Sequence, residues 1–259
     1  MKRVLIDKIP FSLPPEIERL TEGARIYDSS CSPEAKVYFI DSGEGCYLKI
    51  ADADTLGREA SMTEYFHAKG LGTEVLGYVS GEWDMLLTAA VRGEDCTHYL
   101  DCPKRLTELI ATRLRALHEV DFSGCPIMDR MSEYFALAEE NYRTDNYDKS
   151  HFPDSFGYGS AEEAYAVMSA GKDKMKSNVL LHGDYCLPNI MLDDWRFSGF
   201  IDVGCGGVGD RHVDLFWGAW TLFFNLGTDE YRDRFFDAYG RELIDEDRLR
   251  VVAAAEVFG

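Results

Sequence analysis

The spacing of apolar and polar positions changes character along the chain. In residues 1–90 the apolar runs are short and β-rich. Val37 to Ile40 and Cys46 to Ile50 flank Asp41-Ser42-Gly43-Glu44-Gly45, a polar connection that predicts an antiparallel hairpin. Val75 to Ser80 and Trp83 to Leu87 predict a second hairpin about Gly81. Glu59 to Ala68 reads as a helix closed by Gly70. Pro14-Pro15 before Glu16-Ile17-Glu18-Arg19-Leu20 predicts a short helix with proline in its first turn. Further on, helical spacing dominates: Thr107 to His118, Asp129 to Tyr142, Ser160 to Ala170, Val213 to Phe224, Asp229 to Tyr239 and Asp247 to Phe258. Val179 to Leu181, Ile190 to Leu192 and Phe197 to Ile201 read as short strands among them. Phe216, Trp217, Trp220, Phe223 and Phe224 recur at helical spacing and are expected to pack in a core. This order predicts an α+β protein, a small antiparallel sheet with one helix in residues 1–90 and a larger, mostly helical part in 91–259. The boundary falls in Ala89 to Asp95.

Two local features carry chemistry. Lys49 interrupts the apolar run Cys46-Tyr47-Leu48-Lys49-Ile50, and Glu59 on the following helix is its candidate partner. The alternative is an edge-strand lysine whose charge reaches water. The second feature is His182-Gly183-Asp184-Tyr185-Cys186-Leu187-Pro188-Asn189-Ile190, followed by Phe197-Ser198-Gly199-Phe200-Ile201-Asp202. An aspartate, an asparagine in the same loop and an aspartate after an apolar strand form a kit for metal-assisted phosphoryl transfer. Asp184 suits the role of proton acceptor. Asn189 and Asp202 offer the oxygen donors that Mg²⁺ prefers. His182 reads as a structural brace of the loop, and Asp214 as a cap for the helix it opens. Ser160-Ala161-Glu162-Glu163 fits a capping box. No P-loop run occurs, which argues against that nucleotide site.

The chain carries 27 Lys and Arg against 46 Asp and Glu, a formal charge of −19. Nucleic-acid surfaces demand clustered cations, so no nucleic-acid partner is expected. A cationic small molecule fits the charge, and Asp154 and Glu256 are candidate contacts for it. The seven scattered cysteines read as free thiols of a reducing, cytoplasmic compartment. No signal-peptide core or membrane-spanning run is found, and a monomer or weak dimer is expected.

His-Gly-Asp-x-x-x-x-Asn with Ser-Gly-Phe-Ile-Asp-x-Gly resembles the aminoglycoside phosphotransferases, particularly those acting on the 3′-hydroxyl of kanamycin and neomycin. Cys31-Ser32-Pro33-Glu34-Ala35-Lys36-Val37-Tyr38, Tyr47-Leu48-Lys49, Gly57-Arg58-Glu59, Leu117-His118 and Glu256-Val257-Phe258 extend the resemblance along nearly the whole chain. It implies a bilobal protein-kinase-like fold and the use of ATP (or GTP) with Mg²⁺. It implies Asp184 as catalytic base and Asn189 and Asp202 as metal ligands. Lys49, paired with Glu59, would hold the α- and β-phosphates, Ser32 would lie over the phosphates, and Tyr47 would stack on adenine. Backbone groups at Ala89 and Val91 would meet the adenine edge, and Asp214 would brace the catalytic loop. Two positions depart from the family pattern: Cys205 stands where a basic residue is usual, and Ala255 where the first C-terminal acid is usual. A kinase for another small cation, such as choline or ethanolamine, shares the same catalytic residues. A non-catalytic nucleotide-binding module is the remaining reading.

Overall fold

The computed structural model describes residues 3–152 and 156–259. It divides into two compact units, Met1–Cys96 with Pro188–Gly204, and Thr97–Leu187 with Cys205–Gly259. The expected boundary in Ala89 to Asp95 lies just before the end of the first segment. In chain order the first unit supplies β1 (Val4–Ile6), α1 (Pro15–Thr21), β2 (Arg25–Asp28), β3 (Ala35–Asp41), β4 (Cys46–Asp52), α2 (Gly57–Ala68), β5 (Val75–Val79), β6 (Trp83–Ala89) and β7 (Glu94–Asp95). The second supplies α3 (Pro103–His118), α4 (Arg130–Thr144), α5 (Ala161–Gly171) and β8 (Val179–Leu181). The chain re-enters the first unit for β9 (Ile190–Asp193) and β10 (Arg196–Phe200). It ends in the second with β11 (Gly207–Gly209), α6 (His212–Leu226), α7 (Arg232–Tyr239) and α8 (Glu246–Glu256). The α+β class is as the sequence predicts, with β1 and β2 as strands that its patterning does not reveal.

The first unit is built on a six-stranded sheet in the order β1-β2-β3-β4-β6-β5, with antiparallel neighbours throughout. Side chains alternate between its faces, and β4 shows the consequence. Cys46, Leu48 and Ile50 enter a core with Ile17, Ile40, Met85 and Leu87. Tyr47 and Lys49 fall on the opposite face. There Leu56, the N-cap of α2, and Ala60 within that helix pack against Ala51 and Leu86. Burying one such leucine or isoleucine contributes about 1.5–3 kcal/mol, so the alternation fixes the register and with it the face on which Lys49 stands.

The core of the second unit joins α4, α5, α8 and β8 through Phe135, Met168, Val252, Phe258 and Leu181. Asp129, Ser160 and Asp245 cap α4, α5 and α8 through side-chain oxygens. The Ser160 box is offset by one: Glu163 receives the Gly159 N–H rather than that of Ser160. α3 starts at Pro103 instead of Thr107, since proline suits a first helical position. α7 starts at Arg232 instead of Asp229, after a turn closed by Arg232 N–H to Asp229 O. The aromatic set of α6 is not all core. Phe223 and Phe224 are 53% and 66% exposed, and Phe224 stacks on Trp220 at the surface. Helical spacing identifies one stripe, and five aromatics over nine residues are too many for it.

Asp214 does not cap α6, whose N-cap is Arg211. Its buried carboxylate instead accepts the His182 and Gly183 N–H groups (both 2.8 Å) and His118 Nε2–H (3.1 Å). The brace on the His182–Asp184 loop is therefore direct. Tyr239 donates to His118 Nδ1 at 2.8 Å, which leaves Nε2 as the protonated nitrogen. Burial lowers the His118 pKa against the pull of Asp214, so the ring is neutral in the folded protein.

Two outcomes follow from this brace. Asp214→Ala strands three buried donors and is expected to cost about 3–5 kcal/mol in urea denaturation. Because the folded-state pKa of His118 lies below its unfolded value of about 6.5, the unfolded chain binds the extra proton on acidification. Stability should fall as pH drops below about 6.5, and His118→Gln should flatten that slope.

Candidate active site

Within the first unit, a cavity of about 370 Å³ opens against the Lys49 face of the sheet. Ser32, Tyr47, Lys49, Glu59, Ala89, Val91, Asn189 and Asp202 all line it. The structure therefore gathers every nucleotide and metal candidate of the sequence reading into one wall.

Lys49 decides the electrostatics of this wall. Its ammonium lies 2.7 Å from Glu59 Oε2 and 3.0 Å from Asp202 Oδ1. Burial lowers the lysine pKa, but the charges of Asp202 and Glu59 outweigh it and hold the group above its ordinary value. Lys49 is therefore a firmly protonated cation, not a surface lysine reaching for water. Glu59 is set by its helix. Asp84 Oδ2 accepts the Leu56 N–H where α2 begins (2.8 Å) and also the Tyr78 hydroxyl (2.9 Å). Burial opposes ionisation of Asp84, yet hydrogen bonding to its carboxylate brings it down to about 2.

Asp202 lies two residues beyond β10 with φ of +57°, in the left-handed region that non-glycine residues rarely enter. The residues after it are gripped from α2: Arg58 Nε donates to Gly204 O at 2.8 Å. A Cβ at Gly204 would come within 3.2 Å of Glu59 Cβ, so the loop lies close on the helix. Asn189 is buried, and its backbone carbonyl accepts the Ile201 N–H at 3.1 Å, tying together the two segments that carry the oxygen donors. Among the described residues no cluster of three or more His, Cys, Asp or Glu could cage a metal. One carboxylate and one amide side chain lining this cavity suit Mg²⁺, which takes much of its shell from phosphates and water.

The adenine-edge groups are partly committed. Ala89 N–H donates to Glu74 O (2.9 Å), and its carbonyl already accepts the Thr73 hydroxyl (2.5 Å). That carbonyl keeps a second lone pair. The N–H and C=O of Val91 hold no hydrogen bond among the described residues. Tyr47 is held from outside, its hydroxyl accepting from Arg3 at 2.6 Å and its ring centroid 5.0 Å from that of Phe39.

Asp184 and Glu256 belong to the second unit; Asp154 lies outside the described residues. Asp184 is half-buried, on a loop that His182 braces by accepting the Asp184 N–H at Nδ1 (3.3 Å). Gly183 has φ of +87°, and a Cβ there would lie 2.0 Å from Cys205 O, so only glycine allows this approach. Glu256 Oε1 accepts from Tyr134 Oη (2.7 Å) and Trp217 Nε1 (3.0 Å). Burial pushes this carboxyl up to about 7, with Tyr134, Trp217 and Arg130 pulling down and Asp184 pushing further up. Burial and the neighbouring Asp184 raise the Cys186 thiol, which is therefore protonated. A cation does stand near the Cys205 position: Arg130 Nε donates to Cys205 O at 2.9 Å.

Sequence reasoning missed Arg58, Thr73, Arg130 and Tyr134 and placed Trp217 in the core. Gly57-Arg58-Glu59 offered a signal for Arg58. The others act across long sequence separations that no motif spans.

A family model for the phosphotransferase enzyme family matches residues 33–252. The probable aminoglycoside 3′-phosphotransferase of Lactococcus lactis subsp. lactis is 51% identical, covering 99% of this chain and 97% of its own. The aminoglycoside 3′-phosphotransferase of Niallia circulans is 31% identical over 83% of this chain and 84% of its own. Among solved structures, the aminoglycoside phosphotransferase APH(3'')-Id of Streptomyces rimosus with ADP and streptomycin superposes with a TM-score of 0.72. It is 26% identical and covers 86% of this chain and 90% of its own. The crystal structure of aminoglycoside-3′-phosphotransferase of type VIII shares the fold with a TM-score of 0.74, at 23% identity over 92% and 94% of the two chains. With its full-length relatives, its α+β architecture and its protein-kinase-like fold, the chain belongs to the phosphotransferase enzyme family, among the aminoglycoside 3′-phosphotransferases.

Proposed function

We propose that this enzyme transfers the γ-phosphate of ATP, with Mg²⁺, to the 3′-hydroxyl of an aminoglycoside. The observation that carries the reading is the Lys49 ammonium held between Glu59 and Asp202 in the wall of the nucleotide-sized cavity. The name of the 51%-identical relative supports the acceptor.

In this reading Lys49 binds the α- and β-phosphates and Ser32 lies over them. Tyr47 stacks on adenine. The Val91 N–H serves adenine N1 and the free lone pair of Ala89 O serves the exocyclic amine, an order that suits adenine. Asn189 and Asp202 would hold Mg²⁺, which when bound neutralises charge on the phosphates. Asp184 accepts the proton of the substrate hydroxyl as its oxygen bonds to the γ-phosphorus. The bond from that phosphorus to the β-bridging oxygen breaks, and ADP leaves. Glu256 receives a substrate ammonium. The chain's charge of −19 draws in a polycation. Arg130 supplies a cation beside Cys205, where the family pattern has a basic side chain. The described residues contain no helix long and apolar enough to cross a membrane.

Asp184→Asn should lower kcat by at least about 10³-fold in a coupled ADP assay with kanamycin, while MgATP still binds. Lys49→Met should raise KM for ATP by more than about tenfold, because it leaves two carboxylates facing the phosphates. Full turnover by either variant contradicts its assigned role.

Glu256 gives a pH dependence. With a pKa of about 7 it is largely protonated at pH 6 and ionised at pH 8. Only the carboxylate attracts an ammonium, so KM for the aminoglycoside should fall as pH rises through about 7. Glu256→Gln should flatten that profile; an unchanged profile would exclude the carboxyl as a drug contact.

A further inference from the structure

Ser29 Oγ is a buried hydroxyl with no hydrogen-bond partner among the described residues. The residue is only 2% exposed, and an unpaired buried hydroxyl is destabilising. Its neighbours account for its backbone alone: Ser29 N–H donates to Val37 O (2.8 Å), and Ser29 O accepts from Cys31 Sγ (3.4 Å).

Its place in the sheet points to a ligand. The bond to Val37 sets Ser29 opposite Val37, Val37 pairs with Lys49, and Lys49 pairs with Leu86. Opposed residues in an antiparallel ladder share a face. Ser29, Val37, Lys49 and Leu86 accordingly all line the same cavity. The next row on that face contains Tyr47 and Thr88 and leads to Ala89. Ser29 thus shares its row with the phosphate-binding lysine, not with the adenine-edge residues.

We propose that Ser29 is a nucleotide-binding residue whose hydroxyl pairs with an oxygen of the ribose–triphosphate moiety. This rests on the phosphotransferase reading and adds a contact to it. Serine has three staggered χ1 wells, and one turn about χ1 exchanges the packed position of Oγ for another. The nucleotide supplies the partner that the protein alone does not. Serine oxygens donate and accept, so a sugar hydroxyl and a phosphate oxygen both match.

The test is calorimetric titration of the full chain and of Ser29→Ala with MgATP, adenosine and inorganic tripolyphosphate, alongside ligand-free melting. Ser29→Ala should weaken MgATP about five- to tenfold, the loss of roughly one hydrogen bond. Its ligand-free melting temperature should match or exceed that of the wild type, because an orphan hydroxyl is gone. Ser29→Thr, which keeps the hydroxyl, should bind more tightly than Ser29→Ala. Weakened tripolyphosphate binding assigns the contact to phosphate, and weakened adenosine binding to the sugar; either supports the proposal. Wild-type affinity of Ser29→Ala for all three probes overturns it. So does a lower ligand-free melting temperature with wild-type MgATP affinity, which marks a purely structural serine. Absence of MgATP binding by the wild type removes the phosphotransferase reading itself and this contact with it.

Discussion

One partly buried ammonium organises the first unit. Taking a lysine out of water costs several kcal/mol unless opposite charges sit beside it. Here two carboxylates do, at 2.7 and 3.0 Å, and they come from α2 and from the segment after β10. Lys49 therefore ties sheet, helix and loop at one point. Its partners outnumber it, so the cluster keeps an excess negative charge. That excess suits a divalent cation better than it suits bare phosphate. Arg58 and the left-handed Asp202 belong to the same device, since each fixes the loop that brings Asp202 to the lysine.

The second unit uses carboxylates in two ways. Asp214 and Asp210 are 0% and 1% exposed and meet several donors each, so their charge is spent on structure. Asp184 and Glu256 are less deeply placed. Glu256 takes the Tyr134 and Trp217 donors on one oxygen, and its pKa of about 7 lies where a small change of environment alters its charge. A carboxylate ringed by donors serves the fold, whereas one whose ionisation lies near neutrality can respond to a ligand.

The strand and helix that bear Lys49 and Glu59 were legible because burial imposes periodicity, and the loop positions of Asn189 and Asp202 because the phosphoryl-transfer motif is dense. β1 and β2 were not. β1 is an edge strand whose Val4 and Leu5 are exposed, so no alternation marks it. Patterning alone reads Asp214 as a cap, because an acid near a helix start usually is one; the brace on the loop is implied only by the family resemblance. Its actual donors lie 31, 32 and 96 residues away, beyond any local pattern. Trp217 followed the helical stripe into the expected core, yet its indole N–H serves Glu256. Amphipathic side chains defeat a binary reading, because the ring obeys the pattern and the polar atom does not.

The central claim is met most directly by phosphorus NMR of the protein with MgATP and kanamycin. A phosphomonoester signal on the sugar should grow one-for-one as the γ-phosphate signal of ATP declines, with ADP as co-product. ATP that persists unchanged, or that yields only inorganic phosphate and no sugar ester, would contradict the account.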